Sequence, residues 1–284
     1  MITLKDSRIK DNTMANPNKA LWEKGDFTRI ARSMRRSGEA LMVQIGIQKG
    51  MQVLDLGCGD GTTAIPSAKL GATVLGVDIA ANLVAAGNQR AQKEALANIS
   101  FQEGDACELK DLQDNSFDVV VSIFGAMFAP RPQDVAKEMV RVTKPKGKIV
   151  MGNWIPGDPT LVAQILKISS AYTPPPPEGF ISPMLWGVES NVVERFGNAG
   201  IPKENISFQR DTYTFDFDGT PVELVQTFRL FYGPTMNAFD AAEKNGKANE
   251  LQGELEKLFV SQNQSKEPGR TVIPATFLRV TVRK

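Results

Sequence analysis

The residues with the clearest chemical potential in this 284-residue chain are Val53-Leu54-Asp55-Leu56-Gly57-Cys58-Gly59-Asp60-Gly61-Thr62. A short apolar run that contains one acid leads into glycines at alternate positions, and then into a helix-like segment. This pattern reads as a strand whose last turn is bare enough for a ligand to touch backbone. Two more acids close the next two apolar runs, Asp78 in Val77-Asp78-Ile79 and Asp105 in Gly104-Asp105-Ala106. A carboxylate at Asp78 can accept hydrogen bonds from both hydroxyls of a ribose, with Ile79 lying against a flat base. Asp105 can take the exocyclic amine of adenine while the Ala106 amide meets a ring nitrogen. A lone aspartate at a strand end is more often a turn residue or helix N-cap. Three at consecutive strand ends, beside a glycine loop, point to a nucleotide-like ligand.

Two ligand classes use such a loop. The dinucleotide fingerprint is Gly-x-Gly-x-x-Gly. Gly57 and Gly59 fit it, but the third position is Thr62 and the last glycine falls one residue early, at Gly61. Asp55, two residues before the first glycine, would repel a pyrophosphate. It suits a ligand carrying positive charge, such as the ammonium and sulfonium of S-adenosylmethionine. A nicotinamide oxidoreductase is disfavoured further along the chain. There is no histidine, and none of Tyr172, Tyr213 and Tyr232 has a lysine four residues later.

These residues need a scaffold that brings strand ends to one rim. Strands are expected at Gln52–Leu56, Thr73–Asp78, Ile99–Glu103, Phe117–Ser122 and Lys148–Asn153, with helices near Thr62–Leu70, Asn82–Leu96 and Gln133–Val142. Strands alternating with helices make a parallel, doubly wound α/β sheet, and open sheets of this kind bind ligands at the carboxyl ends of their strands. Helices are expected at Thr160–Tyr172, Val188–Asn198, Pro221–Tyr232 and Ala248–Phe259, with strands at Ile206–Phe217 and Thr271–Arg283. Ahead of the sheet, Gly25–Gly50 reads as a helical cap and residues 1–19 as a polar, loosely held arm. Arg29, Arg32 and Arg36 share one face of the cap, either a solvated face or an anion-steering patch. Pro174–Pro177 is a stiff extended run leading to the apolar cluster Phe180, Met184, Leu185 and Trp186. The expected organisation is an arm and cap at 1–50, a cofactor-binding core at 51–154, and the rest of the sheet with substrate-cap insertions at 155–284, all one integrated domain.

Composition sets outer bounds. The formal charge of +1 gives no reason to expect nucleic acid. Without histidine or a Cys-x-x-Cys pair, a metal site is not expected. There is no apolar run long enough to span a membrane and no apolar signal segment within Met1–Lys10, so a cytoplasmic protein with reduced thiols is expected.

The chain resembles the class I S-adenosylmethionine-dependent methyltransferases, through VLDLGCGDG (53–61), VDIA (77–80), GDA (104–106), SFDVVVS (116–122) and RVTKPKGKIVMGNW (141–154). The likeness is strong over 51–154 and greatest to the ubiquinone/menaquinone-biosynthesis-like branch that methylates small molecules. In the last motif Thr143 replaces the family's leucine and Lys146 its first glycine. The resemblance implies a Rossmann-like seven-stranded sheet with the last strand inserted antiparallel. It also implies S-adenosylmethionine as cofactor and S-adenosylhomocysteine as product. Asp55, Gly57, Gly59, Asp78, Ile79, Asp105 and Ala106 carry over as cofactor contacts, and Cys58 and Ser122 complete the candidate set.

The acceptor should approach the loop after strand four, where Phe124, Met127 and Phe128 are candidate walls with Trp186 beyond them. The expected reaction is in-line methyl transfer to a small, partly apolar molecule, driven mainly by proximity. No catalytic residue is singled out, though a base could be drawn from Tyr172, Tyr213, Tyr232 or Glu189. A protein or RNA methyltransferase, drawing on the arginine stripe, and a non-catalytic cofactor-binding module are the alternatives. The oligomeric state is left open.

Overall fold

The computed structural model describes residue 16 and residues 18–284. Two helices, Asn18–Glu23 (α1) and Thr28–Gln44 (α2), precede the sheet. Strands β1 (Gln52–Leu56), β2 (Thr73–Asp78), β3 (Ile99–Glu103), β4 (Phe117–Ile123) and β5 (Thr143–Trp154) alternate with α3 (Ala64–Lys69), α4 (Ala81–Lys93) and α5 (Pro132–Val142). After β5 come α6 (Leu161–Ser170), α7 (Glu189–Gly197), β6 (Ile206–Asp218), α8 (Pro221–Phe231), α9 (Gly233–Lys244), α10 (Ala248–Gln262) and β7 (Arg270–Arg283).

All seven strands join one sheet in the order β3-β2-β1-β4-β5-β7-β6. The first five run parallel, and β7 is antiparallel to both β5 and β6. Helices cover both faces. Val119, Val120 and Val121 of β4 are all at most 1% exposed, as their continuous apolar run requires of a strand covered on both sides. Sequence order reverses between β1 and β4. Their connections leave in opposite directions there and open a crevice at the carboxyl ends of the two strands.

Several expectations are corrected. Helix α9 was not foreseen, because its opening Gly233-Pro234 reads as a breaker. Its proline stands in the first turn, where a missing N–H costs nothing, and Gly233 lies so close to the Leu21 carbonyl that a Cβ would fall 2.3 Å from it. Strand β5 starts at Thr143 rather than Lys148. The turn that departs from the family pattern holds Lys146 at φ +67°, a left-handed conformation that glycine adopts more readily.

The polar arm expected at 1–19 falls largely outside the described residues, but Asn16, Asn18 and Lys19 are tied down. Asn16 Nδ2 donates to Asp105 Oδ2 and Lys19 Nζ to the Ile79 carbonyl, while Asn18 Nδ2 donates to the Phe128 carbonyl. Of the apolar cluster after the prolines, Trp186 is buried beneath the Arg195 guanidinium, which lies 4.4 Å from its ring, while Phe180 and Leu185 are exposed. In the arginine stripe, Arg29 pairs with Asp26 and Arg36 with Asp216.

Candidate active site

At the switch point the loops after β1 and β4 touch backbone to backbone. Gly57 holds φ +70°, and a Cβ there would meet Gly125 Cα at 2.6 Å. Reciprocally, a Cβ on Gly125 would lie 2.3 Å from the Gly57 carbonyl oxygen. Ser122 staples this crossing: its Oγ donates to the Leu56 carbonyl (2.6 Å) and accepts from the Ala126 N–H (2.9 Å). The first and second strands are joined by Gly57 N–H donating to the Val77 carbonyl at 2.7 Å.

Asp78 lies at the next strand end and is nearly buried. Its Oδ2 accepts from Gly59 N–H (2.8 Å) and its Oδ1 from Ala80 N–H (2.9 Å), so its plane is set by backbone. Burial raises its pKa, partly offset by these donors. Asp105 accepts from Asn16 and from the Cys107 N–H. Asp55 is fully buried. Its Oδ2 accepts from Thr63 Oγ1 at 2.5 Å and its Oδ1 has no hydrogen-bond partner among the described residues. Burial, opposed by the Thr63 hydrogen bond and helped by the charge of Asp78, pushes its pKa up to about 7. Burial and the surrounding aspartates raise the Cys58 thiol well above its usual range, which leaves it no nucleophilic role.

These loops border a cavity with an empty volume of about 920 Å³, part of it open to solvent. Gly57, Cys58, Gly59, Asp78, Ile79, Asp105 and Ala106 all line it, as do Phe124 and Phe128. Asp55 stands behind the lining residue Thr63, and Ser122 and Met127 are buried beneath the loop they support. Trp186 is not part of the wall: it packs on Phe196 and Arg195.

Several lining residues were not singled out from the sequence. Trp22 and Asn18 belong to α1, a helix of six residues too short to show a periodic signal. Phe27 precedes α2, while Tyr213, named from the sequence only as one of four candidate bases, reaches in from distant β6. Asp60 belongs to the glycine loop itself. It is buried and neutralised by Arg35 (2.9 Å) and Arg90 (3.4 Å).

Besides the paired Asp60, the lining contains Asp78 and Asp105 and, among the described residues, no lysine or arginine. Such a wall disfavours a pyrophosphate and suits a ligand that combines an adenosine with cationic groups. The residues present thus fit S-adenosylmethionine. A second cavity, with an empty volume of about 430 Å³ that is also partly open to solvent, adjoins the first and shares Trp22, Phe27, Met34, Phe124 and Phe128 with it. Phe124 stands at this junction with φ +60°, an uncommon conformation for an aromatic residue, and stacks on Trp154 with centroids 3.7 Å apart. Tyr232 lines the second cavity, whereas Tyr172 is bonded to Glu254 and Glu189 is exposed. No group of His, Cys, Asp and Glu that could hold a metal occurs among the described residues.

Comparison with known proteins agrees with this geometry. A methyltransferase domain family matches residues 54–151. The uncharacterized protein Rv1403c of Mycobacterium tuberculosis is 33% identical over 229 residues, 79% of this chain and 80% of its own. Demethylmenaquinone methyltransferase of a Geobacillus species is 38% identical over 116 residues, 39% of this chain and 49% of that enzyme. In fold, the chain is similar to the YcgJ protein of Bacillus subtilis, with a TM-score of 0.54 at 16% identity over 88% of this chain and 98% of that one. The glycine crossing, the acid-lined cavity and these relatives converge: the chain belongs to the class I S-adenosylmethionine-dependent methyltransferases.

Proposed function

We propose that this enzyme transfers the methyl group of S-adenosylmethionine to a small, largely apolar molecule bound in the second cavity. The observation that carries this reading is the junction of the two cavities, where one set of side chains walls both. A path for in-line displacement would cross it. When bound, the cofactor supplies an electrophilic methyl on a sulfur that leaves neutral, so the protein's task is alignment and exclusion of water.

In this reading Asp78 receives the ribose hydroxyls, Ile79 and Leu83 flank the adenine, and Asp105 with Ala106 reads its edge. The Gly57–Gly59 backbone holds the methionine portion, with Asp55 behind it as a buried acid. Ser122 keeps the crossing loops in place. Phe124 and Phe128 stand between donor and acceptor, and Met127 supports them from below. Two free, buried cysteines, and no described helix long and apolar enough to cross a membrane, support a cytoplasmic setting. The demethylmenaquinone relative, although it matches less than half of this chain, is in keeping with an apolar acceptor.

Calorimetry tests the donor side. S-adenosylhomocysteine should bind the wild type, and Asp78→Ala should weaken binding by about a hundredfold, as expected for losing a charged acceptor of two hydroxyls. Transfer of labelled methyl to a panel of apolar metabolites tests the acceptor side. Absence of any binding heat with the wild type, or transfer confined to protein or RNA, would overturn the proposal.

A further inference from the structure

Thirteen residues line the second cavity, and eight of them are aromatic, in a chain whose aromatic content is 7%. The rings share walls: Trp22 meets Phe128 at 5.0 Å, Phe228 meets Tyr232 at 5.4 Å, and Phe124 stacks on Trp154. None of the thirteen is aspartate, glutamate, lysine or arginine, and the chain has no histidine. Tyr232 is the one titratable group in this lining, and burial holds its hydroxyl protonated far above neutral pH.

This chemistry excludes most acceptors. A nucleophile that must shed a proton as it attacks finds no base among the described residues of this lining. One that arrives as an anion is stripped of water against apolar walls with no partner. An alkene carbon would become a carbocation that must then lose a proton, again with no base. A neutral amine has none of these difficulties. Desolvation favours its uncharged form on entry, and methylation turns it into a cation, which aromatic rings attract.

We propose that the acceptor is an apolar tertiary amine, and that the ring of aromatic side chains holds its quaternary ammonium product. The inference rests on reading the second cavity as the acceptor chamber. The nitrogen lone pair forms the new N–C bond as the S–C bond breaks, and the electron pair of that bond goes to sulfur. The positive charge passes from sulfonium to ammonium and no proton moves. Trp22, Trp154 and Tyr232 are thereby specificity-determining residues for a cationic product.

Tryptophan fluorescence of the full chain saturated with S-adenosylhomocysteine tests this. Benzyltrimethylammonium is titrated against neopentylbenzene, its uncharged carbon isostere. The cation should bind roughly tenfold more tightly, the advantage expected from desolvated cation–π contact. Tyr232→Leu and Trp22→Leu should each erode that advantage while leaving the isostere's affinity nearly unchanged. Equal or tighter binding of the isostere, or no binding of either probe to the wild type, overturns the inference. If S-adenosylhomocysteine itself fails to bind, the parent reading fails first. If it binds and the cation has no advantage, this inference alone fails.

Discussion

Asp55 shows how one buried acid can be decisive without touching the cavity. The acid before the glycines reads in the sequence as suiting a cationic ligand, but its position behind Thr63 was not legible, because the hydroxyl it needs lies eight residues away across a turn. Its raised pKa has a definite consequence for stability. Below about pH 4 it is protonated in both folded and unfolded chains. As pH rises the unfolded chain ionises first, and by about pH 7 the folded chain must bury a charge. The stability contributed by the neutral carboxyl is therefore lost between those values, by on the order of 4 kcal/mol. Asp55→Asn keeps the acceptor for Thr63 and removes the charge. In denaturant titrations of the unliganded enzyme it should match wild type near pH 4 and become progressively more stable up to pH 7. A pH-independent difference would contradict the assignment. The neighbouring Gly125 makes a second prediction. Gly125→Ala puts a methyl 2.3 Å from the Gly57 carbonyl, so it should cost about 2 kcal/mol, and an unchanged urea midpoint would contradict the close crossing.

At the scale of elements, legibility followed periodicity. The bounds expected for β1, β2 and β3 coincide with those observed, β1 and β2 as short, mostly apolar runs and β3 as the alternating Ile-Ser-Phe-Gln-Glu ended by Gly104. Helix α9 was missed because its opening Gly233-Pro234 reads as a breaker, although Thr235, Ala238, Phe239 and Ala242 form a regular buried face, and α1 was missed because it does not depend on its own pattern. Helix α1 buries no residue and is held by tertiary bonds, from Lys19 to Glu103 and Ile79 and from Glu23 to the Ala81 N–H. Six residues are too few to be helical alone. The element that closes the cavity thus has no buried residue of its own to hold it, and Asn16 already occupies Asp105, the carboxylate proposed for adenine. Hydrogen exchange should find residues 18–23 among the fastest amides outside loops, slowed severalfold by saturating S-adenosylhomocysteine. Unchanged exchange on binding would show that α1 takes no part in enclosing the ligand.

At the scale of the whole molecule, the first cavity is closed by chain segments far apart in sequence: Trp22 and Phe27 from the N-terminal cap, the rims of the parallel strands, and Tyr213 from β6 in the antiparallel half. Sequence patterns find the rims, because each motif is local. They name Tyr213 only as one of four candidate bases and do not place it in the cavity, because its position depends on β7 pairing with both β5 and β6. Net charge speaks at the same scale. A formal charge of +1, with Arg29 and Arg36 of the expected stripe each paired to an aspartate, disfavours a polyanion on the cap. Gel-shift assays should show no RNA retardation even at low salt, where phosphate contacts are strongest, and salt-sensitive retardation would revive an RNA substrate. Because cap and sheet share one continuous core, a ligand that bridges them should stabilise the chain as a unit. S-adenosylhomocysteine at a hundred times its dissociation constant should add about 2.7 kcal/mol, a rise of about 5 °C in the melting temperature of a chain of this length. The transition should remain single and shift as a whole, since no part of the cavity belongs to one segment. If calorimetry instead splits it, with the cap melting at an unshifted temperature, the ligand is held by the sheet rim alone and the enclosure by Trp22, Phe27 and Tyr213 contributes nothing to binding.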